Sequence, residues 1–141
     1  MELLRIYSLT AIVLALKMAA IAVVQGRARQ GAGVFVNPED ASMFKATQAP
    51  QEVETVRRAA RAWLNDLENI PIFLILAWTY VAAGLSAGAF AIYCVVFTVA
   101  RILHTIFYLS AVQPWRSIFF TVGGVAMLAL IIHLFIGVVI A

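Results

Sequence analysis

Four stretches of the chain stay apolar for about the 20 residues that a helix needs to cross a bilayer. They run from about Leu3 to Gln25, Leu67 to Leu85, Ala89 to Leu109 and Ile118 to Ala141. Backbone groups in lipid must bond within their own segment, so the stretches predict helices; the ten-residue alternation of barrel strands is not visible. The pattern predicts an all-α integral membrane protein with four transmembrane helices, over 3–25, 53–85, 89–110 and 116–141. A loop at 26–52 joins the first two, and residues 1–141 form one membrane domain. In the first helix Ala11, Ala15, Ala19 and Ala22 recur at helical spacing, a small-residue stripe that lets another helix approach. Ala20-Ile21-Ala22 resembles a leader cleavage site, but Lys17 interrupts the apolar stretch and favours a retained helix.

Composition agrees. Hydrophobic residues make up 64% and charged residues 12%, against about 45–50% and 25% in soluble domains. Every charged residue except Arg101 and Arg116 precedes Asn69, so the second half has no water-facing charged surface. This excludes a disordered chain, a nucleic-acid-binding domain and an ordinary soluble enzyme. The net charge of +3 follows from basic membrane loops. Segment 26–62 holds Arg27, Arg29, Lys45, Arg57, Arg58 and Arg61, the turn at 84–88 holds no charge, and Gln113-Pro114-Trp115-Arg116 is positive. The first and third connections therefore face the cytoplasm, and both termini the opposite side. Asn37-Pro38-Glu39-Asp40 reads as a turn. The lone Cys94 sits in an apolar run and reads as packing.

The polar residues on these helices carry the chemistry. Arg57, Arg61, Asn65 and Glu68 lie along one stripe of the second helix, with Arg58 and Asp66 to either side; Pro71 frees the carbonyl of Leu67 and predicts a kink. Arg101, His104 and Tyr108 form a stripe on the third helix. An arginine there snorkels to the interface or points into the bundle beside Glu68 or Asp66. Arg116 and Ser117 occupy the first turn of the fourth helix, where free N–H groups and the helix dipole favour an anion. Trp115 reads as an interfacial anchor, and His133, Trp78 and Tyr80 as packing, interface or lipid contacts. Arginine forks bind carboxylates bidentately, so this end of the bundle predicts a small, multiply anionic ligand with a cationic group for Glu68. The histidines lie on different helices, so no metal is predicted.

Asn37-Pro38-Glu39-Asp40, the block from Arg61 to Pro71 (RAWLNDLENIP) and the block from Ala100 to Leu109 (ARILHTIFYL) resemble the signatures of the MAPEG family, membrane-associated proteins in eicosanoid and glutathione metabolism. They match its microsomal glutathione transferase and microsomal prostaglandin E synthase branch. The resemblance implies a homotrimer of four-helix subunits, with three glutathione sites near subunit boundaries at the cytoplasmic face. It assigns glutathione contacts to Arg29, Arg61, Asn65, Glu68, His104, Tyr108, Arg116 and Ser117, and gives Arg101 and Asp66 structural positions. Arg116, Ser117, Tyr108 and Asp40 become the catalytic candidates. Arg57 stands where the family commonly has glutamate, Trp63 where it often has histidine, and Phe120 where the prostaglandin synthase has tyrosine; Leu64 agrees with the transferases. These departures favour a transferase or peroxidase acting on hydrophobic electrophiles or lipid hydroperoxides over a prostaglandin isomerase. The partners implied are glutathione, a hydrophobic small molecule or lipid, membrane lipid and two further copies of the chain, and no nucleic acid. A non-catalytic lipid-binding adaptor of the family and a small multidrug transporter are the rival readings; the transporter needs an acidic residue within the first span, where only Lys17 is charged. An apolar C-terminus without a basic tail favours a bacterial inner membrane over an endoplasmic reticulum.

Overall fold

A computed structural model describes residues 1–140, so the last residue of the predicted fourth helix lies outside the described residues. Helix α1 spans Glu2–Ala32 and ends at Gly33, whose φ of 60° is open to glycine at little cost. It runs seven residues beyond the predicted Gln25. Hydropathy marks where lipid ends, whereas Arg27, Ala28, Arg29 and Gln30 are good helix formers that carry the rod into water. Its 31 residues rise about 46 Å at 1.5 Å each.

The loop is not structureless. Strand β1 (Val34–Phe35) pairs in parallel with β2 (Thr47–Gln48), and helix α2 (Pro38–Met43) lies between them. Proline at the first position of α2 loses no helical hydrogen bond. Phe35 and Phe44 stack at 5.1 Å across this small unit.

Helix α3 (Glu54–Ala82) passes through Pro71, turns at Gly84 and hands over to α4 (Ala87–Leu109), whose first turn is capped by Ser86. Helix α5 (Trp115–Leu134) ends in a π-helical turn, Phe135–Ile140. Three helical segments are long and apolar enough to cross a membrane: Glu2–Ala32, Ala87–Leu109 and Trp115–Ile140. The second predicted span, within α3, is not among them, because Asn65, Asp66, Glu68 and Asn69 dilute the apolar stretch.

Helix α1 packs on α3 and α4, and α5 packs on α4 and α3; α1 and α5 do not touch among the described residues. The core is built from Leu14, Phe73, Tyr80, Phe90, Phe97 and Leu130, with Phe73 and Phe97 stacked at 3.8 Å. The buried stripe of α3 is Val56, Ala59, Ala62, Asp66, Ile70, Phe73, Ala77 and Tyr80. Asp66 therefore faces inward, and the stripe of Arg61, Asn65 and Glu68 turns away from the core. Arg101 does not snorkel. Its Nη2 donates to Asp66 Oδ1 at 2.5 Å and to Asn65 Oδ1 at 2.6 Å, and its Nε to Asp66 Oδ1 at 3.0 Å. Lys17 from α1 and Thr105 from α4 donate to the other oxygen of Asp66. Asp66 rather than Glu68 is thus the partner of Arg101.

At the other end of the bundle Tyr80 is fully buried and donates to the carbonyl of Ser86 at 3.1 Å. His133 Nδ1 lies 3.1 Å from the Tyr93 hydroxyl and 3.3 Å from that of Tyr80. Tyr80 is a core residue, whereas Trp78 is half exposed and packs on Tyr7.

Removing the shared anion is expected to cost far more than removing one of its two cations. Asp66→Asn strands Lys17 and Arg101 in the bundle, a loss of about 3–5 kcal/mol; Lys17→Met leaves a neutral Asp66–Arg101 pair. Thermal unfolding in detergent checks the order: Asp66→Asn unfolds well below Lys17→Met.

Candidate functional site

Helices α4 and α5 diverge at their junction and leave a cavity of about 270 Å³ lined by His104, Tyr108, Arg116, Ser117, Phe120 and Thr121. The turn at 110–114 sets this geometry. Helix α4 ends at Ser110, and α5 restarts with Arg116 and Ser117 in its first turn, facing the last turn of α4. The Arg116 guanidinium stands 5.0 Å over the Tyr108 ring. The His104 ring meets Tyr108 edge-on at 5.6 Å and Phe120 at a tilt at 5.8 Å.

Two features single out this cavity as the candidate site. His104 is 3% exposed, and its Nδ1 has no hydrogen-bond partner among the described residues. A buried polar atom left unpaired is costly, which sets His104 apart from the satisfied polar residues around Asp66. The second feature is charge, since Arg116 has no carboxylate partner among the described residues. The Gln113 amide instead sits 3.1 Å from Ser117 Oγ and, with its oxygen turned inward, accepts from Arg116 Nη2 at 2.6 Å.

The free N–H groups expected at the opening of α5 are largely taken. Arg116 N donates to Val112 O at 3.3 Å, and Ser117 N and Ile118 N donate to Pro114 O at 3.0 and 3.1 Å. The tight turn satisfies them locally, so holding an anion falls to the side chains of Arg116 and Ser117.

The other predicted residues lie around this cavity or away from it. Arg61 on α3 pairs with Glu54 at 2.5 Å. Its hydrogen bond holds the Glu54 carboxyl below the usual carboxylate range, and Glu54 in turn pushes the Arg61 guanidinium up. Asn65 is tied to Arg101 through its oxygen, which leaves its amide N–H groups free as donors among the described residues. Glu68 is exposed on the same face, with no ion pair among the described residues. Arg29 pairs with Glu52 at 2.7 Å, and Asp40 accepts from Asn37 at 3.0 Å in the loop unit. Arg29, Asp40, Arg61, Asn65 and Glu68 do not line the cavity.

Sequence reasoning missed Gln113 and Thr121. Thr121 sits one turn beyond Ser117 on α5, a signal that helical spacing carries. Gln113 precedes the helix and carries no such signal.

The model of the MAPEG family matches residues 7–136. A prostaglandin E synthase from Equus caballus is 35% identical over 118 residues, 83% of this chain and 77% of that protein. The Homo sapiens prostaglandin E synthase is 33% identical over 118 residues, 83% and 78% of the two chains. Microsomal glutathione S-transferase 1 of Rattus norvegicus is 43% identical over 95 residues, 64% of this chain and 61% of that protein. With its apolar helices, the cavity between α4 and α5 and a match that runs through all of its helices, the chain belongs to the MAPEG family.

Proposed function

We infer that this protein is a glutathione-dependent membrane enzyme, a transferase or peroxidase acting on hydrophobic electrophiles or lipid hydroperoxides. The observation that carries the reading is the cavity in which Arg116, Ser117, Tyr108 and the unpaired His104 converge. Glutathione fits this donor set: two carboxylates for guanidinium and amide donors, an ammonium for Glu68, and a thiol.

A thiol titrates near about 8.5, and only its thiolate is a strong nucleophile. Arg116 supplies a full positive charge where the sulfur's charge develops, and Ser117 Oγ and the Tyr108 hydroxyl are further donors. Arg61, Asn65, His104 and Arg29 hold the carboxylates and Glu68 the ammonium, which fixes the tripeptide and aims its sulfur. With an aryl halide the sulfur–carbon bond forms, the halide leaves, and Arg116 returns to its Gln113 contact. Asp40 assists from the loop.

Arg61, Asn65 and Glu68 face away from the core of their own subunit, and the edge helices α1 and α5 carry many exposed apolar side chains, Leu9, Leu16, Val125 and Ile132 among them. A homotrimer of four-span subunits accounts for both. In it the stretch from Leu67 to Leu85, most of it on α3, is the fourth span, and a neighbouring subunit brings Arg29 and Asp40 to the cavity. The expectation of a bacterial inner membrane gains no support from the relatives named above, which are mammalian.

A prostaglandin E synthase-like isomerase is the second reading, favoured by the 118-residue matches. Phe120 in the cavity wall weighs against it, because it lacks the hydroxyl of the tyrosine expected there.

Glutathione conjugation to a chromogenic aryl halide in detergent tests the proposal. Arg116→Ala is expected to lower kcat about 100-fold with little change in KM for glutathione; equal turnover removes Arg116 from the mechanism. Removing the charge also moves the rising limb of the pH–rate profile upward toward the free thiol's value, whereas Arg116→Lys holds it down. Calorimetry separates the adaptor, which binds no glutathione.

A further inference from the structure

The first turns of α3 hold one carboxylate among three guanidinium groups. Glu54 accepts from Arg61 Nη2 at 2.5 Å and lies in ion-pair range of Arg57 Nη2 at 3.0 Å and Arg58 Nη2 at 3.5 Å. Arg57 and Arg58 have second partners: Arg57 Nη1 donates to Gln51 at 3.2 Å, and Arg58 Nη1 to the carbonyl of Tyr108 at 3.4 Å. Arg61 has Glu54 as its only carboxylate among the described residues and no second partner of the kind that Arg57 and Arg58 have.

We propose that Glu54 is an affinity-determining residue of the anion site: in the empty protein its carboxylate occupies Arg61, and a ligand carboxylate binds by displacing it. The inference rests on the reading that Arg61 holds a carboxylate of glutathione. Three properties make Glu54 displaceable rather than a fixed structural partner. It is half exposed, as is Arg61, and exposed ion pairs are weak. It sits in the first turn of α3, where the helix dipole and free N–H groups still accommodate its charge after Arg61 departs. Arg57 and Arg58 remain at hand to take over its two oxygens. The exchange is one carboxylate for another and transfers no proton, so the site trades a weak internal pair for an external one. Glu54 thereby lowers the apparent affinity for the incoming carboxylate and keeps Arg61 extended and ready in its absence.

The effect is readable as a KM-against-kcat split in the conjugation assay. Glu54→Gln, which cannot hold the guanidinium groups by charge, is expected to lower KM for glutathione about threefold at unchanged kcat. Glu54→Ala reproduces the shift and removes any contribution from the new amide. In an Arg61→Ala background, Glu54→Gln has no further effect, because nothing remains to compete for. A KM that is unchanged or raised in both Glu54 variants of an active protein overturns the inference and leaves the proposed enzyme standing. A shift that persists without Arg61 overturns it as well. A wild type that neither binds nor turns over glutathione overturns both.

Discussion

The fold depends on one anion. Asp66 is fully buried and takes donors from Lys17 on α1 and from Arg101 and Thr105 on α4, while sitting on α3 itself. Three helices are thus referred to a single carboxylate in an environment where an unpaired ion is prohibitive. Apolar contacts alone specify helix positions loosely in lipid, since tails and side chains are equally oily. A charge network tolerates little rotation or sliding, because each donor must meet its lone pair. It fixes the azimuth of α3, and so decides which face of that helix looks out.

That choice carries directly to the anion site. With Asp66 turned inward, its neighbour Asn65 is caught by Arg101 through the amide oxygen and keeps only its amide N–H groups free as donors among the described residues. The polar residues split into an inner set that is mutually satisfied and an outer set that is not. Glu68 and Arg116 belong to the second set, each without an ion-pair partner among the described residues. Structural polarity and ligand-binding polarity are separated by about 100° of helix rotation, the step from one residue to the next.

Much of this was legible in the sequence. The apolar stretches located α1, α4 and α5, because a helix that must satisfy its backbone in lipid writes a long unbroken pattern. The Arg101, His104, Tyr108 stripe and the Arg116-Ser117 pair were likewise visible as spacing, and the structure places His104, Tyr108, Arg116 and Ser117 around one cavity. The rotation of α3 was harder to read. Its polar stripe left open whether Glu68 or Asp66 meets Arg101, whereas the row of small and apolar residues from Val56 to Tyr80, with Asp66 among them, is the buried one. Following alanines instead of charges would have found it. The pairing of Val34-Phe35 with Thr47-Gln48 had no local signature, since two-residue strands are held by the segments they join. The engagement of the α5 N–H groups depended on the shape of the 110–114 turn, which no spacing rule supplies.

The contact of His133 with Tyr80 and Tyr93 has a consequence at the far end of the same rod. His133 and Arg116 share α5, seventeen positions apart, or about 25 Å along the axis. An α-helix resists torsion, so the tyrosines that seize the imidazole act as a tailpiece that tunes the opposite tip. They brace α5 against rotation about its own axis, so the direction in which the guanidinium points is set from both ends of the rod.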